Sequence, residues 1–189
     1  MTDAPGPSGV DGTGATIRES EIPMTDAPQV LIVMGSESDL SVMEKASAVL
    51  DQLSVPSETR IMSAHRTPAL VAELASEAAG RGVKVIIAGA GAAAALPGVV
   101  AAHTSLPVIG VPIDATPLNG VDALYAIVQM PSGVPVATVS IDGATNAAVL
   151  AAQILALQDT ALGERLAQMS EKRRESVMES DRRVHGEAQ

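Results

Sequence analysis

The chain has 189 residues, a formal net charge of −10, no cysteine, and a single aromatic residue, Tyr125. That length suits one domain, and the acidic balance argues against nucleic acid or an anionic membrane surface as partner, since both need clustered Lys and Arg. The missing cysteines exclude disulfides, zinc–thiolate sites and thiol catalysis, which is compatible with a reducing cytoplasm. A core without Phe or Trp must be built from Ala, Val, Ile, Leu and Met, and many small-residue faces of this kind point to self-association.

In chain order, residues 1–28 read as a disordered tail, rich in Gly, Pro, Ser and Thr and without periodicity. "MTDAP" occurs at 1–5 and again at 24–28, so Met24 is an alternative start. No basic-then-apolar leader and no unbroken apolar run of about 18 residues is seen, so neither a signal peptide nor a membrane span is expected. From Gln29 on, strands and helices alternate. "QVLIVM" (29–34) is a first strand, followed by a helix over 39–53 with apolar residues at helical spacing. "SETRIM" (57–62) is a second strand, and Thr67 and Pro68 read as N-cap and first position of the next helix. "VKVIIAG" (83–89) is a third strand, "AAALPGVVAAH" a short helix, and "LPVIGVPI" (106–113) a fourth strand. A helix over 120–130, a fifth strand over 134–141, a helix over 143–159 and a charged last helix over 160–180 complete the pattern. Tyr125 and Met130 are expected to pack, His103 and His185 to be surface or cap residues, and Lys172–Arg174 to lie on a solvated helix face.

Such alternation predicts an α/β fold with a parallel sheet covered on both faces, and a ligand crevice at the carboxyl ends of the strands. Three loops then converge there. "MGSESD" follows the first strand: backbone N–H groups at a helix start, with the hydroxyls of Ser36 and Ser38, suit a phosphate. Asp39 is better placed to accept from sugar hydroxyls. The Gly-Lys-Ser/Thr of a P-loop is missing, and a plain Ser/Asp helix cap remains an alternative. "SAHR" follows the second strand; Arg66 can grip a phosphate with two prongs, and a histidine such as His65 can give or take a proton near neutrality. "AGAGAAAALPG" follows the third, where Gly89 and Gly91 would let a ligand approach the backbone and the alanines leave space without charge. The three histidines lack metal-ligand spacing, and neither a Ser-His-Asp pattern nor a nucleophile elbow is present. The three loops together describe a pocket for a phosphorylated sugar with a proton-transferring histidine.

The segments "MGSESD", "SAHRTP", "IAGAG…LPGVVAA", "PVIGVP", "IVQMPSGVPVAT" and "NAAVLAAQILA" resemble the class I N5-carboxyaminoimidazole ribonucleotide mutases, the PurE family of purine biosynthesis. The resemblance implies a flavodoxin-like three-layer αβα sandwich over 29–159, with a C-terminal helix and tail over 160–189. It also implies a homo-octamer with sites at subunit contacts, and no cofactor or metal. Carried over by motif, Ser36 and Arg66 hold the phosphate and Asp39 the ribose. Ser63 and Ala90–Gly91, with Ala95 and Leu96 beyond, lie by the aminoimidazole and its carboxylate, and His65 is the general acid–base. Carbon dioxide is implied as a trapped intermediate. The chain departs from the family pattern in having Ala95 for His, Ala92 for Gly, Leu40 for Trp, Tyr125–Ala126 for Leu-Ser and Asp142 for Gly. Loss of the Trp is expected to open space near the site. These departures leave open a housekeeping mutase, a paralogue with a shifted carboxylated substrate in secondary metabolism, and an inactive member. A rival from another class is a non-catalytic nucleotide- or flavin-binding module, against which stands the near-absence of aromatic residues to stack on a flavin.

Overall fold

The computed structural model describes residues 27–186. Of the tail expected over residues 1–28, residues 1–26, including the first "MTDAP" and Met24, lie outside the described residues. The core is a five-stranded sheet of order β2-β1-β3-β4-β5, parallel throughout. Its strands are β1 (Val30–Met34), β2 (Ser57–Ile61), β3 (Val85–Gly91), β4 (Val108–Ile113) and β5 (Ala137–Thr138). The helices are α1 (Leu40–Gln52), α2 (Pro68–Glu77), α3 (Leu96–Ala102), α4 (Val121–Val128), α5 (Ala144–Ala156) and α6 (Thr160–Val184). This order is the flavodoxin-like one.

Strand side chains alternate between the faces, and the core divides accordingly. Val30, Ile32, Met34, Val85, Ile87, Ile109 and Val111 face a layer built on α1, α5 and the first half of α6, which contributes Leu162 and Met169. Leu31, Val33, Ile86, Ala88 and Val108 face the layer of α2, α3 and α4. Each such Val, Leu, Ile or Met side chain removed from water contributes about 1.5–3 kcal/mol. Five alanines of α5 (Ala144, Ala147, Ala148, Ala151 and Ala152) are fully buried and let the helix lie close to α1 and the sheet. Asp159 caps α6 by accepting from the Leu162 N–H at 3.0 Å. α6 runs past the expected end at 180, and His185 caps it while pairing with Asp181 at 3.3 Å. Among the described residues no helix is long and apolar enough to cross a membrane.

Three sequence expectations are corrected. The fifth strand pairs only over Ala137–Thr138, not 134–141; it sits at the sheet edge, and on its N-terminal side Pro135 has no N–H to give. The other edge strand, β2, is half-buried to exposed; Glu58 pairs with Arg60 at 3.1 Å and with Arg81, and charges of this kind guard an open edge. Tyr125 does not pack within the chain: it is 59% exposed on α4. Gly89 does not face a ligand. A Cβ there would lie 2.4 Å from the Met43 sulfur, so the glycine makes room for a core thioether.

Candidate functional site

The strand order reverses between β1 and β3, which both leave the sheet in the same direction as β2. Met34 is in register with Ile61 on one side and Gly89 on the other. The loops after these three strands therefore start level with one another. They enclose a hollow of about 200 Å³, lined by Gly35, Ser36, Asp39, Ser63, Ala64, His65, Arg66, Ala90–Ala92 and Ala94–Leu96. Ala115, from the loop after β4, also lines it. Thus Ser36, Asp39, Ser63, His65, Arg66, Ala90, Gly91, Ala95 and Leu96 are brought together.

Ser38 and Leu40 stand apart. Ser38 is exposed and off the lining; its hydroxyl donates to Asp39 Oδ1 at 3.2 Å and its N–H donates to Ser36 Oγ at 3.4 Å. It thus orients a lining carboxylate from behind. Leu40 is 38% exposed at the start of α1 and does not line the hollow. Its side chain therefore bears on the surface beside the hollow and not on the hollow's own width. Ala95 does line it, immediately before α3.

Asp39 is the buried charged residue of the site, 6% exposed. A buried carboxylate needs donors, and Ser38 supplies one. The other oxygen lies beside Gly35, whose missing side chain keeps that approach open; a Cβ there would meet Asp39 Oδ2 at 3.7 Å. Gly35 has no left-handed φ, so its value is space and not a turn.

The second loop is cross-tied. Thr67 precedes Pro68, as expected of a helix start, yet its hydroxyl does not cap α2. It turns back instead, accepting from the Ser63 N–H at 3.0 Å and donating to the Ser63 carbonyl at 3.0 Å. The Ser63 hydroxyl accepts from the Arg66 N–H at 3.2 Å and from Arg66 Nε at 3.4 Å. Arg66 Nη2 then donates to the Gly35 carbonyl at 3.3 Å, tying the second loop to the first. The His65 side chain is exposed at the mouth, between these anchored residues.

The third loop is held otherwise. Ala92 and Ala94 sit at φ +53° and +38°, in the region that costs a residue with a Cβ about 1–2 kcal/mol. The family pattern has Gly at position 92, and this φ is the reason. Gly91 admits the fourth loop: a Cβ on it would lie 2.5 Å from that of Ala115. Asp142, also Gly in the family pattern, has φ +56° and accepts from the Asp114 N–H at 3.1 Å, which secures the same loop. Sequence reasoning missed Ala115 and Thr67. The rule that gathered three loops at the strand ends also applies to the loop after β4, and would have found Ala115.

A negative ligand is suited to the Arg66 guanidinium and the N–H groups around Ser36. A hydroxylated ring is suited to the Asp39 carboxylate, and the apolar wall of Ala90–Leu96 leaves room for a small uncharged group. The family model of AIR carboxylase matches residues 29–176. The chain is 55% identical over 155 residues to the N5-carboxyaminoimidazole ribonucleotide mutase of Bacillus subtilis, covering 81% of this chain and 96% of that protein. It is 51% identical over 160 residues to the N5-carboxyaminoimidazole ribonucleotide mutase of Pyrococcus horikoshii, covering 85% of this chain and 90% of that protein. A crystal structure of Treponema denticola PurE superposes with a TM-score of 0.75 at 31% identity, covering 82% of this chain and 97% of that one. The chain therefore belongs to the AIR carboxylase family.

Proposed function

We propose that the chain is an N5-carboxyaminoimidazole ribonucleotide mutase, moving a carboxyl group from the exocyclic nitrogen of the ribonucleotide to carbon 4 of its imidazole ring. The observation that carries the reading is the gathering of Ser36, Asp39, Ser63, His65 and Arg66 around one hollow; the curated relatives support it by name. Arg66 and Ser36 hold the phosphate and Asp39 holds the ribose. Ser63, Ala90 and Gly91 flank the ring and carboxylate, and Ala95 and Leu96 close the apolar side.

The chemistry balances around one imidazole. The carbamate C–N bond breaks, carbon dioxide leaves, and protonated His65 gives its proton to the nitrogen. The electron-rich ring carbon attacks the retained carbon dioxide and forms the new C–C bond. Neutral His65 then removes the ring proton, restoring aromaticity and its own charge. One proton enters and one leaves, so no co-reactant is consumed. Retaining the carbon dioxide makes the second step effectively intramolecular.

A hollow of about 200 Å³ is smaller than the roughly 300–1,000 Å³ of a usual ligand site, so neighbouring subunits complete it. Leu118, Val121, Tyr125 and Val128 supply a surface for that assembly. Val121, Tyr125 and Val128 are exposed at helical spacing along α4, with Leu118 exposed in the turn before it, and the assembly is a homo-octamer.

Ultraviolet absorbance of purified protein with the N-carboxylated ribonucleotide tests the reading: formation of the 4-carboxy product is expected, and its absence from folded protein counts against it. A second reading, a paralogue acting on a related carboxylated aminoimidazole, is favoured by Ala95 in the lining where the family pattern has His. Complementation of a purine-requiring strain separates the two. Growth supports the mutase, whereas folded protein without growth supports the paralogue.

A further inference from the structure

We infer that Thr67 is a positioning residue for catalysis, holding His65 and Arg66 in place through a two-way hydroxyl clamp on Ser63. The inference rests on the roles given to those two side chains above. A threonine hydroxyl has one proton to give and lone pairs to receive, and Thr67 uses both on one residue. It accepts from the Ser63 N–H and donates to the Ser63 carbonyl, each at 3.0 Å, while its own N–H donates to that carbonyl at 2.8 Å. His65 and Arg66 are carried on the turn closed by this clamp.

The clamp has a firm base and a far end. Its base is α2: the Val71 N–H donates to the Thr67 carbonyl at 3.2 Å, and Val71 is buried. Its far end is Ser63 Oγ, which accepts from Arg66 N–H and Nε and so aims the guanidinium, whose Nη2 reaches Gly35. Both ring-facing loops are thereby referenced to one helix. The β-branch of threonine restricts χ1, holding Oγ1 over Ser63. A residue of the same shape without the hydroxyl would leave the Ser63 N–H unpaired and free the turn.

The experiment compares wild type with Thr67→Val, Thr67→Ala and Thr67→Ser in two measurements. The first is steady-state turnover of the N-carboxylated ribonucleotide. The second is the NMR signal of the His65 imidazole in substrate-free protein, assigned by its loss in His65→Asn. Thr67→Val is expected to lose roughly 10- to 100-fold in kcat/KM, the scale set by small misplacements of reacting groups, with kcat reduced and KM raised. Its His65 signal is expected to shift or broaden. Thr67→Ser is expected to restore both to within about threefold of wild type, because the hydroxyl returns. Thr67→Ala gives the same reading as Thr67→Val where valine does not fold. Wild-type turnover in both hydroxyl-free variants with an unmoved His65 signal overturns the inference, and so does equal loss in Thr67→Ser and Thr67→Val. If wild type itself does not turn over this ribonucleotide, the mutase reading fails separately. The clamp is then judged on the His65 signal alone: perturbed without the hydroxyl and restored by serine supports it, unchanged rejects it.

Discussion

On one side of the hollow, residues 63–67 are fixed by side-chain hydrogen bonds from Thr67 to Ser63, Ser63 to Arg66 and Arg66 to Gly35. On the opposite side, residues 91–96 are Gly, Ala and Leu, which have no polar side-chain atom to bond with. That wall is shaped by backbone alone, with two alanines held at positive φ. The contrast suits a reaction in which one partner is an anionic ribonucleotide and the other a small neutral molecule. On the proposed reading, the polar side grips charge and moves protons, and the apolar side offers carbon dioxide no side-chain donor. Position is maintained chemically on the first wall and sterically on the second.

Substitutions on the two walls should therefore fail differently. The largest effect is expected from His65→Asn, which keeps a polar side chain but cannot ferry the proton. kcat should fall about 1,000-fold, within the 10²–10⁴ range of a general acid–base, with KM little changed. A fall confined to KM would break the contrast by making His65 a binder. Next is Arg66→Ala, which removes a charged donor worth about 1.5–3 kcal/mol. KM for the ribonucleotide should rise roughly 10- to 100-fold, as read from saturation curves, with a smaller change in kcat. The smallest effect belongs to the apolar wall. Ala92→Gly relieves a left-handed alanine at about 1–2 kcal/mol, partly offset by the greater freedom of glycine in the unfolded chain, about 0.4–1 kcal/mol. A net gain of about 0.5–1 kcal/mol in denaturant unfolding sharpens the contrast. A loss there would mean that the third loop is not strained.

Much of this arrangement is legible in one dimension because it follows from local pattern. The apolar runs at 29–34, 83–89 and 106–113 mark buried parallel strands, and topology then places the loops carrying Ser36, His65 and Gly91 at one end. What was not legible depends on partners far away in sequence or on a choice between two bonds. Gly89 is a slot for Met43, a residue on another element. Thr67 before Pro68 reads as a cap, because nothing in the string says that Ser63 will fold back within reach of its hydroxyl. Pro135 should have shortened the fifth strand, since the missing donor is visible in the sequence itself. Tyr125 reads as a packing residue, yet its helical stripe with Val121 and Val128 faces outward from the chain.

The central claim is that a carboxyl group crosses between two atoms of one bound ribonucleotide within this hollow. It is tested most directly with substrate carrying ¹³C in its carbamate carbon, turned over in unlabelled bicarbonate. Product formed early in the reaction should keep the label at the new carboxylate. Product carrying only the unlabelled carbon of the medium would contradict the account.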